Sequence, residues 1–428
     1  MNPPANTHVV ILGGGFAGLY AAKALRSDSV RVTVVDRRNH HLFQPMLYQV
    51  ATAALSPGDI ASPIRSILRG QTNAEVALGE ARSVDTAGRR VVLDRSSMNY
   101  DYLIVATGAR HSYFGHEEWE ILAPGLKSIE DALEIRRRIL LAFEGAERES
   151  DPDQRKTLLT FVVVGGGPTG VEVAGALAEI RRYALRRDFR HIDSRAATVL
   201  LLEGSTRLLS SYPESLSRAA MRALRRLGVE VRTDAFVDGI TQDGVSVGGI
   251  HIPTKTVVWA AGNLASPLLR SLGTPLDPQG RVMVGEDCTI PAHPEVFVLG
   301  DAACFDHQEG GPLPGLSPVA IQMGRYAANT IRRDLRGQAR RPFRYRDKGQ
   351  LAVIGRGRAV ADIGRLHFSG FTAWLAWIFV HIFFLIGFRN RIIVLMEWAW
   401  SYLTFQRGAR LITGAGDHRG LVPTEKST

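Results

Sequence analysis

Apolar residues fall in short runs in two stretches of the chain that lie about one domain apart, and glycines follow each run. The first run covers residues 9–12 and the second covers residues 161–164. An alanine-rich stretch with helical spacing follows both. Short apolar runs bounded by glycine are typical of buried parallel strands, which alternate with helices in α/β domains. The pattern therefore predicts a β-α-β unit at each place.

The same pattern predicts the elements of each unit and of the segments after them. The first unit is predicted to be a strand over 9–12, a helix over 16–26 and a strand over 31–35. The second is predicted to be a strand over 161–164, a helix over 169–187 and a strand over 198–202. Further elements are predicted over residues 91–93, 102–105, 129–149, 256–259 and 296–299, of which only 129–149 is a helix. The fold class is α/β, with two Rossmann-like dinucleotide-binding domains.

The glycines form two fingerprints of the same type, Gly-Gly-Gly-Phe-Ala-Gly at 13–18 and Gly-Gly-Gly-Pro-Thr-Gly at 165–170. In such turns glycine lets the backbone approach a pyrophosphate, which rests on free N–H groups at the helix start. An acid ends the second strand of each unit and would accept hydrogen bonds from ribose hydroxyls. Two copies predict two dinucleotides with electron transfer between them, as in a flavoprotein that reacts with a nicotinamide. The predicted contacts are Gly13, Gly15, Phe16, Ala17, Gly18 and Asp36, and Gly165, Gly167, Gly170 and Glu203.

Length and cysteine content restrict the class further. A chain of 428 residues suits two or three domains. The two cysteines, Cys288 and Cys304, exclude a disulfide framework and favour a reducing compartment. The first strand begins so early that no signal peptide is expected.

Positive charge is concentrated at the end of the chain. Residues 340–428 contain 14 Lys and Arg against 5 Asp and Glu, within a net charge of +10 for the whole chain. This charge flanks uncharged aromatic sequence instead of a polar helix, so an anionic lipid surface is favoured over nucleic acid.

Residues 366–388 carry no formal charge and would measure about 34 Å as one helix, which is enough to span a bilayer. Arginines on both sides argue against a single span. A second apolar piece, 392–405, contains Glu397, and Trp and Tyr recur in both pieces as they do at membrane interfaces. Helices lying in one leaflet are therefore favoured, with a buried homodimer interface as the alternative.

The combination of motifs resembles the type II, non-proton-pumping NADH:quinone oxidoreductases over nearly the whole chain. The resemblance rests on both fingerprints, on Ala106-Thr107-Gly108 and Gly300-Asp301, and on residues 39–51 and 313–322. It implies FAD at the first fingerprint, NADH at the second, and electron transfer to a membrane quinone. It also implies that the NADH domain is inserted in the FAD domain.

The expected domains are 1–115 and 296–345 for FAD, 116–295 for NADH, and 346–428 for a helical membrane-anchoring region. The expected location is the cytoplasmic face of the inner (plasma) membrane, with a peripheral, monotopic attachment.

Several side chains acquire expected roles from their positions or from the resemblance. Glu203 would favour NADH over NADPH, because a carboxylate repels a 2′-phosphate, although Arg207 lies close by in the sequence. Glu172 would position the nicotinamide or relay protons; alternatively it only complements the helix dipole. Further FAD contacts are expected at Pro45, Leu47, Ala106, Thr107, Gly108, Asp301 and Ala320, and further NADH contacts at Ala261 and Gly262. Asp301 is also expected to cap a helix that it opens.

The predicted quinone-site helix departs from the family pattern, because Ser317-Pro318 stands where many members have Ala-Gln. Gln322 is therefore the expected polar contact for quinone. Lys348 would donate a proton, or is simply a solvated lysine in a basic run. His40 and His41 suggest a metal, but no second ligand cluster supports one.

Two other functions stay open from the sequence. One is an NADPH-dependent quinone reductase. The other is a non-catalytic, NADH-binding redox sensor that docks a protein partner through its aromatic tail. The placement of the two cysteines supports neither a dithiol relay nor sulfide:quinone chemistry.

Overall fold

The computed structural model describes residues 7–26, 29–185, 188–404 and 408–413. The α-helices, in chain order, are α1 (Phe16–Ala24), α2 (Leu47–Ala51), α3 (Pro57–Ile60), α4 (Ile64–Leu68), α5 (Trp119–Leu122), α6 (Ile129–Arg148), α7 (Pro152–Leu158), α8 (Pro168–Glu179), α9 (Glu214–Leu227), α10 (Ser317–Leu335), α11 (Phe371–Phe384) and α12 (Phe388–Thr404).

The strands are β1 (Thr7–Leu12), β2 (Val30–Asp36), β3 (His40–Leu42), β4 (Ala61–Pro63), β5 (Ala74–Leu78), β6 (Ala81–Asp85), β7 (Arg90–Leu93), β8 (Ser97–Asn99), β9 (Tyr102–Val105), β10 (Ala109–His111), β11 (Thr160–Val164), β12 (Thr198–Leu202), β13 (Val229–Arg232), β14 (Val237–Thr241), β15 (Gly244–Val247), β16 (Ile250–Pro253), β17 (Thr256–Trp259), β18 (Asn263–Ala265), β19 (Val282–Met283), β20 (Thr289–Ile290), β21 (His293–Val298), β22 (Ala303–Cys304), β23 (Gln350–Gly355), β24 (Arg358–Ile363) and β25 (Leu366–Gly370).

The chain folds into two compact units. Among the described residues, the first contains those from 7 to 42 together with 61–110 and 263–348, and the second contains those in 43–60, 111–262 and 349–413. Residues 111–262 are therefore inserted between two segments of the first unit, as the expected domain order implies.

The first unit is built on a sheet in the order β20-β21-β9-β1-β2-β5. β1 pairs in parallel with both β2 and β9, and every residue of β1 is buried. Because Leu12 lies opposite both Val35 and Val105, the carboxyl ends of these three strands meet at one edge. That edge carries the first glycine turn. The strand predicted over 296–299 is the end of β21, which starts three residues earlier.

The second unit repeats this plan with parallel strands in the order β13-β12-β11-β17. Val164 lies opposite both Leu202 and Trp259, so the second glycine turn also lies at a carboxyl edge. The helix predicted over 129–149 is α6, which Ser128 and Asp131 start with a capping box. The helix predicted over 169–187 ends earlier: α8 stops at Glu179 and a π-type turn follows, while residue 187 lies outside the described residues.

The C-terminal part of the second unit begins with an antiparallel sheet, β23-β24-β25, and not with a helix. α8 packs on β23 so closely that a Cβ on Gly175 would lie 1.8 Å from the carbonyl oxygen of Ile354. The helices α11 and α12 follow this sheet. The helical part of the expected C-terminal region therefore begins at Phe371, after this sheet.

The uncharged stretch 366–388 is not one helix, so it does not have the length of about 34 Å that a single helix over these residues would have. Its first five residues form β25, where His367 lies opposite Asp362 and its Nδ1 is 2.8 Å from an Asp362 carboxylate oxygen. α11 ends at Phe384, where Arg391 donates hydrogen bonds to the carbonyl oxygens of Phe383 and Leu385. Across the residues that the structure describes, no helix combines the length and the apolar character needed to cross a membrane.

The α/β class with two dinucleotide-binding folds is confirmed, whereas the compact units have other boundaries than the expected domains. Residues 263–295 belong to the first unit because β20 and the start of β21 join its sheet. Residues 43–60 belong to the second unit, where α2 packs against α6 and α8.

Candidate functional site

The first glycine turn joins β1 to α1 and is held by two side chains. The N–H of Gly14 donates to one carboxylate oxygen of Asp36 over 2.6 Å, and the other oxygen accepts from the N–H of Arg38 over 2.7 Å. The carbonyl oxygen of Gly14 is 2.9 Å from Nδ1 of His41. Asp36 therefore ends β2 as a fixed carboxylate directly beside the turn.

The second glycine turn has the same bonds at the same places. The N–H of Gly166 donates to one carboxylate oxygen of Glu203, and the other oxygen accepts from the N–H of Ser205 over 2.7 Å. The carbonyl oxygen of Gly166 accepts from the backbone N–H of Leu209 over 2.8 Å. Glu203 thus occupies the position that Asp36 has in the first unit.

The first glycine of each turn lies against the neighbouring strand end. Gly13 has φ +103° and Gly165 has φ +109°, which favours glycine at both positions. A Cβ would lie 2.3 Å from the carbonyl oxygen of Ala106 at Gly13, and 2.7 Å from the carbonyl carbon of Ala260 at Gly165. The strand-end tripeptides of the sequence lie at these positions: Ala106-Thr107-Gly108 follows β9, and Ala260-Ala261-Gly262 follows β17.

Of the remaining fingerprint glycines, two have no room for a side chain and two face open space. A Cβ on Gly18 or Gly170 would lie within 2 Å of a carbonyl oxygen of its own turn, so these glycines let the helix pack on the strand end. A Cβ on Gly15 or Gly167 would meet nothing within 4 Å. The space beside the helix start is therefore open in both units, as a bound pyrophosphate requires.

Asp301 lies in a single 3-10 turn, Gly300–Ala302, which β22 follows. The prediction that Asp301 opens and caps a helix is therefore wrong. It lines a cleft of the first unit, about 440 Å³ in empty volume, together with Arg281 and Gly315. The carboxylate lies so close to Gly315 that a Cβ there would be 3.2 Å from Oδ1.

Ala17 and Ala320 lie beside this turn. A Cβ on Gly300 would be 3.2 Å from the Cβ of Ala320 and 3.6 Å from that of Ala17. Gly324 permits this approach of α10 to α1, because a Cβ there would be 2.2 Å from the carbonyl oxygen of Ala17. The predicted residues Ala17, Asp301 and Ala320 therefore lie together in the first unit.

The second unit contains a pocket of about 670 Å³ in empty volume between α2, α8, β23, α11 and α12. Five of its lining residues are aromatic, among them Trp374 and Trp377, and we call it the aromatic pocket; Glu172 and Glu179 supply carboxyl groups. Glu172 is the fifth residue of α8, beyond its first turn. The N–H of Val353 lies 3.4 Å from one of its carboxyl oxygens.

Burial raises the pKa of Glu172 to about 8, and the contact from the Val353 N–H opposes the rise. The carboxyl group is therefore mostly protonated at neutral pH. A protonated carboxyl group carries no charge and interacts only weakly with the helix dipole, so a role of Glu172 in complementing that dipole is disfavoured. The carboxyl group can donate a proton to a group in the pocket.

A chain of hydrogen bonds connects the C-terminal helix to the opposite pocket wall. Nε1 of Trp398 donates to the amide oxygen of Gln49 over 2.7 Å, and Nε2 of Gln49 donates to the Tyr48 hydroxyl over 2.9 Å. Trp377 is 2% exposed and stacks on His381 with ring centroids 4.2 Å apart. Trp377 and Trp398 therefore pack inside the second unit, although the frequency of Trp in this region indicated residues at a membrane interface. Trp400 is exposed.

The residues predicted to contact quinone, Gln322 and Lys348, do not line this pocket. Ser317 and Pro318 form the first turn of α10, in the first unit. The Gln322 amide donates to the carbonyl oxygen of Arg346 over 2.9 Å and accepts from its N–H over 3.0 Å. One N–H and one lone pair of the amide stay outside these two bonds. Lys348 is exposed at the end of the first unit. The roles of Gln322 and Lys348 stay predictions.

The structure also places the remaining candidate residues of the sequence. Pro45 lies in a 3-10 turn and Leu47 is buried at the start of α2, both in the second unit. Arg207 donates to the carbonyl oxygens of Ser210 and Tyr212, so its guanidinium is held by its own loop. Cys288 and Cys304 are buried free thiols.

Within the described ranges, no group of three or more His, Cys, Asp or Glu is placed to hold a metal ion.

Two sheets with parallel central strands, each with a glycine turn and an acid at the carboxyl edge of those strands, define a protein with two dinucleotide-binding folds. The family model for pyridine nucleotide-disulphide oxidoreductases matches residues 7–324, and the model of the NDH2 C-terminal domain matches residues 348–407. The chain is 46% identical to the type II NADH:quinone oxidoreductase Ndh of Mycobacterium tuberculosis, over 96% of this chain and 91% of the relative. It belongs to the type II NADH:quinone oxidoreductase family.

Other comparisons agree. The type II NADH:quinone oxidoreductase NdhA of Mycobacterium tuberculosis is 43% identical, over 97% of this chain and 91% of the relative. The structure of NDH2 from Plasmodium falciparum in complex with NADH has a TM-score of 0.87 and covers 95% of this chain and 100% of that one. At 18% identity this last likeness concerns the fold alone.

Proposed function

We propose that this chain oxidises NADH and reduces a membrane quinone through FAD, with FAD at the first glycine turn and NADH at the second. The overall reaction converts NADH, one proton and a quinone into NAD⁺ and a quinol. The observation that carries the proposal is the repeated turn. Each unit holds an open helix start beside an acid, Asp36 in one and Glu203 in the other, and a flavin and a nicotinamide together need two such sites.

Bound FAD would supply the redox chemistry, as the group between hydride donor and quinone. The chain's own residues bind and orient the partners. Asp36 and Glu203 lie where the ribose hydroxyls of a bound dinucleotide are held, and Asp301 lies in the cleft of the first unit, where it would hold the flavin side chain. Arg207 donates two hydrogen bonds to carbonyl oxygens of its own loop, whereas Glu203 would repel a 2′-phosphate. NADH is therefore favoured over NADPH.

The aromatic pocket of the second unit is the proposed site for the quinone ring. Its tryptophans suit a flat apolar ring, and the chain from Trp398 through Gln49 to Tyr48 supplies a fixed polar group in the wall. Glu172 would give one proton to a quinone oxygen and regain it from water. Its protonated state at neutral pH supports this role.

The same region is proposed to attach the protein to a membrane surface. α11 buries Ala373, Trp377 and His381 on one side and exposes Phe379 (72%) and Phe383 (59%) on the other. Exposed aromatic rings on a helix suit the interior of a lipid leaflet, and the basic residues nearby suit anionic headgroups. The cytoplasmic face of the plasma membrane, where NADH is available, is the proposed location.

Steady-state turnover of the purified, FAD-loaded chain with a soluble short-chain quinone tests the function. We expect sustained oxidation of NADH, and at least about tenfold lower kcat/KM with NADPH, which corresponds to about 1.4 kcal/mol. One reduction without turnover would instead identify a redox sensor. Equal rates with both nucleotides would identify an NADPH-accepting reductase.

A further inference from the structure

His41 contacts the first glycine turn at two points. Its Nδ1 is 2.9 Å from the carbonyl oxygen of Gly14, and its ring meets the Phe16 ring edge-on at a centroid distance of 5.0 Å. The side chain is 2% exposed. His41 therefore lies beneath the turn as a buried support.

The protonation state of His41 follows from these contacts. A carbonyl oxygen only accepts, so Nδ1 must carry the proton. Burial lowers the pKa of His41 to about 4, so the ring is neutral at physiological pH. The other nitrogen, Nε2, is buried and has no hydrogen-bond partner in the part of the chain that the structure describes. One hydrogen bond to the turn is thus the polar contact that holds this ring.

The internal repeat shows what this bond replaces. In the second turn the carbonyl oxygen of the equivalent Gly166 accepts from a backbone N–H, that of Leu209. In the first turn the same oxygen accepts from a side chain. Both turns therefore hold the middle glycine on both sides, at its N–H by an acid and at its carbonyl by a second donor.

The peptide bond after this glycine is planar, so fixing the direction of the Gly14 carbonyl also fixes the direction of the Gly15 N–H. That N–H belongs to the open helix start, where a Cβ would meet nothing within 4 Å. We propose that His41 is a positioning residue for the dinucleotide phosphate: it aims the Gly15 N–H through its bond to Gly14. This inference rests on the proposed assignment of FAD to the first turn.

Equilibrium release of FAD from the full-length holoenzyme on dilution, followed by flavin fluorescence, tests the inference without NADH or quinone. His41→Leu should raise the Kd for FAD about tenfold. His41→Asn should restore binding to within about threefold of the unmodified protein, because its amide nitrogen occupies the position of Nδ1. His41→Gln, whose amide nitrogen lies further out, should behave like His41→Leu. The Asn and Gln variants keep the test usable if the Leu variant does not fold.

Two controls separate the possible failures. His8 is a buried histidine of β1 that bonds Thr33 over 2.8 Å, and His8→Leu should lower the melting temperature without changing the Kd for FAD. Asp36→Ala should weaken FAD binding if FAD occupies the first turn at all. If Asp36→Ala weakens binding and His41→Leu does not, or if the Asn variant binds no better than the Gln variant, the role of His41 is refuted. If neither the Asp36 nor the His41 variants affect FAD, the assignment of FAD to this turn fails instead.

Discussion

Glu172→Gln should make the protein more stable at alkaline pH, because the glutamine keeps the shape of the side chain and cannot ionise. In the folded chain Glu172 keeps its proton up to about pH 8, whereas in the unfolded chain it loses it near its ordinary pKa of 4.5. Between these values unfolding releases a proton, so the free energy of unfolding falls as pH rises. The glutamine variant lacks this loss.

The size of the effect follows from the same two values. At about 1.4 kcal/mol per pH unit, the rise from 4.5 to about 8 limits the effect to roughly 5 kcal/mol, reached above pH 8. Between pH 6 and pH 9 the stability difference between the variant and the unmodified protein should widen by about 3 kcal/mol.

Urea unfolding of both FAD-saturated proteins, followed by tryptophan fluorescence, measures this difference. Glu179→Gln, on the same helix, controls for removing a carboxyl group from α8. A difference between Glu172→Gln and the unmodified protein that stays constant with pH would show that Glu172 is ionised in the fold, and would remove its proposed proton transfer.

Three further predictions follow from the site. Glu203→Gln should narrow the preference for NADH, measured as the ratio of kcat/KM for the two nucleotides; an unchanged ratio would place selectivity elsewhere. Trp398→Phe should slow flavin reoxidation by quinone about three- to tenfold, since one hydrogen bond contributes about 0.5–1.5 kcal/mol. Trp377→Phe is the control, because it removes an indole N–H that has no hydrogen-bond partner in the described residues and so measures only the cost of a smaller ring. If both variants slow reoxidation equally, the hydrogen bond from Trp398 to Gln49 has no role in it. Phe379→Asp with Phe383→Asp should reduce co-sedimentation with anionic vesicles, whereas Ile250→Asp, at an equally exposed apolar position, should not. Unchanged sedimentation together with loss of a dimer would assign that face to a second copy of the chain.

The glycine turns and their acids could be predicted because their signals are local. Strand, fingerprint and helix follow one another within about 25 residues, and the acid ends the next strand of the same unit. The structure shows why an acid stands at the same place in both units: Asp36 and Glu203 each accept one backbone N–H from the glycine turn beside them.

The pocket could not be predicted, because its contacts are distant in the sequence. Trp398 and Gln49 are 349 positions apart, and nothing near either residue indicates their hydrogen bond. The hydrogen bond from the Gln322 amide to the backbone of Arg346, 24 positions away, could not be predicted for the same reason.

Hydropathy was also insufficient to predict the secondary structure of residues 366–388, because an uncharged run is compatible with a helix and with a strand. The pairing of β25 with β24 decides between them, and this pairing depends on a neighbour that a hydropathy window does not include. The hydrogen bond of His41 was not predicted either, because the carbonyl oxygen that it contacts lies 27 positions earlier.

The most direct test of the account is anaerobic sequential-mixing stopped-flow on the unmodified, Glu203→Gln and Trp398→Phe proteins. NADH is mixed first and flavin bleaching recorded, and a soluble quinone is then added and flavin reoxidation recorded. We predict that the NADH dependence of bleaching changes only in Glu203→Gln, while reoxidation slows only in Trp398→Phe. Bleaching altered by Trp398→Phe, or reoxidation altered by Glu203→Gln, would contradict the assignment of NADH to the second glycine turn and of quinone to the aromatic pocket.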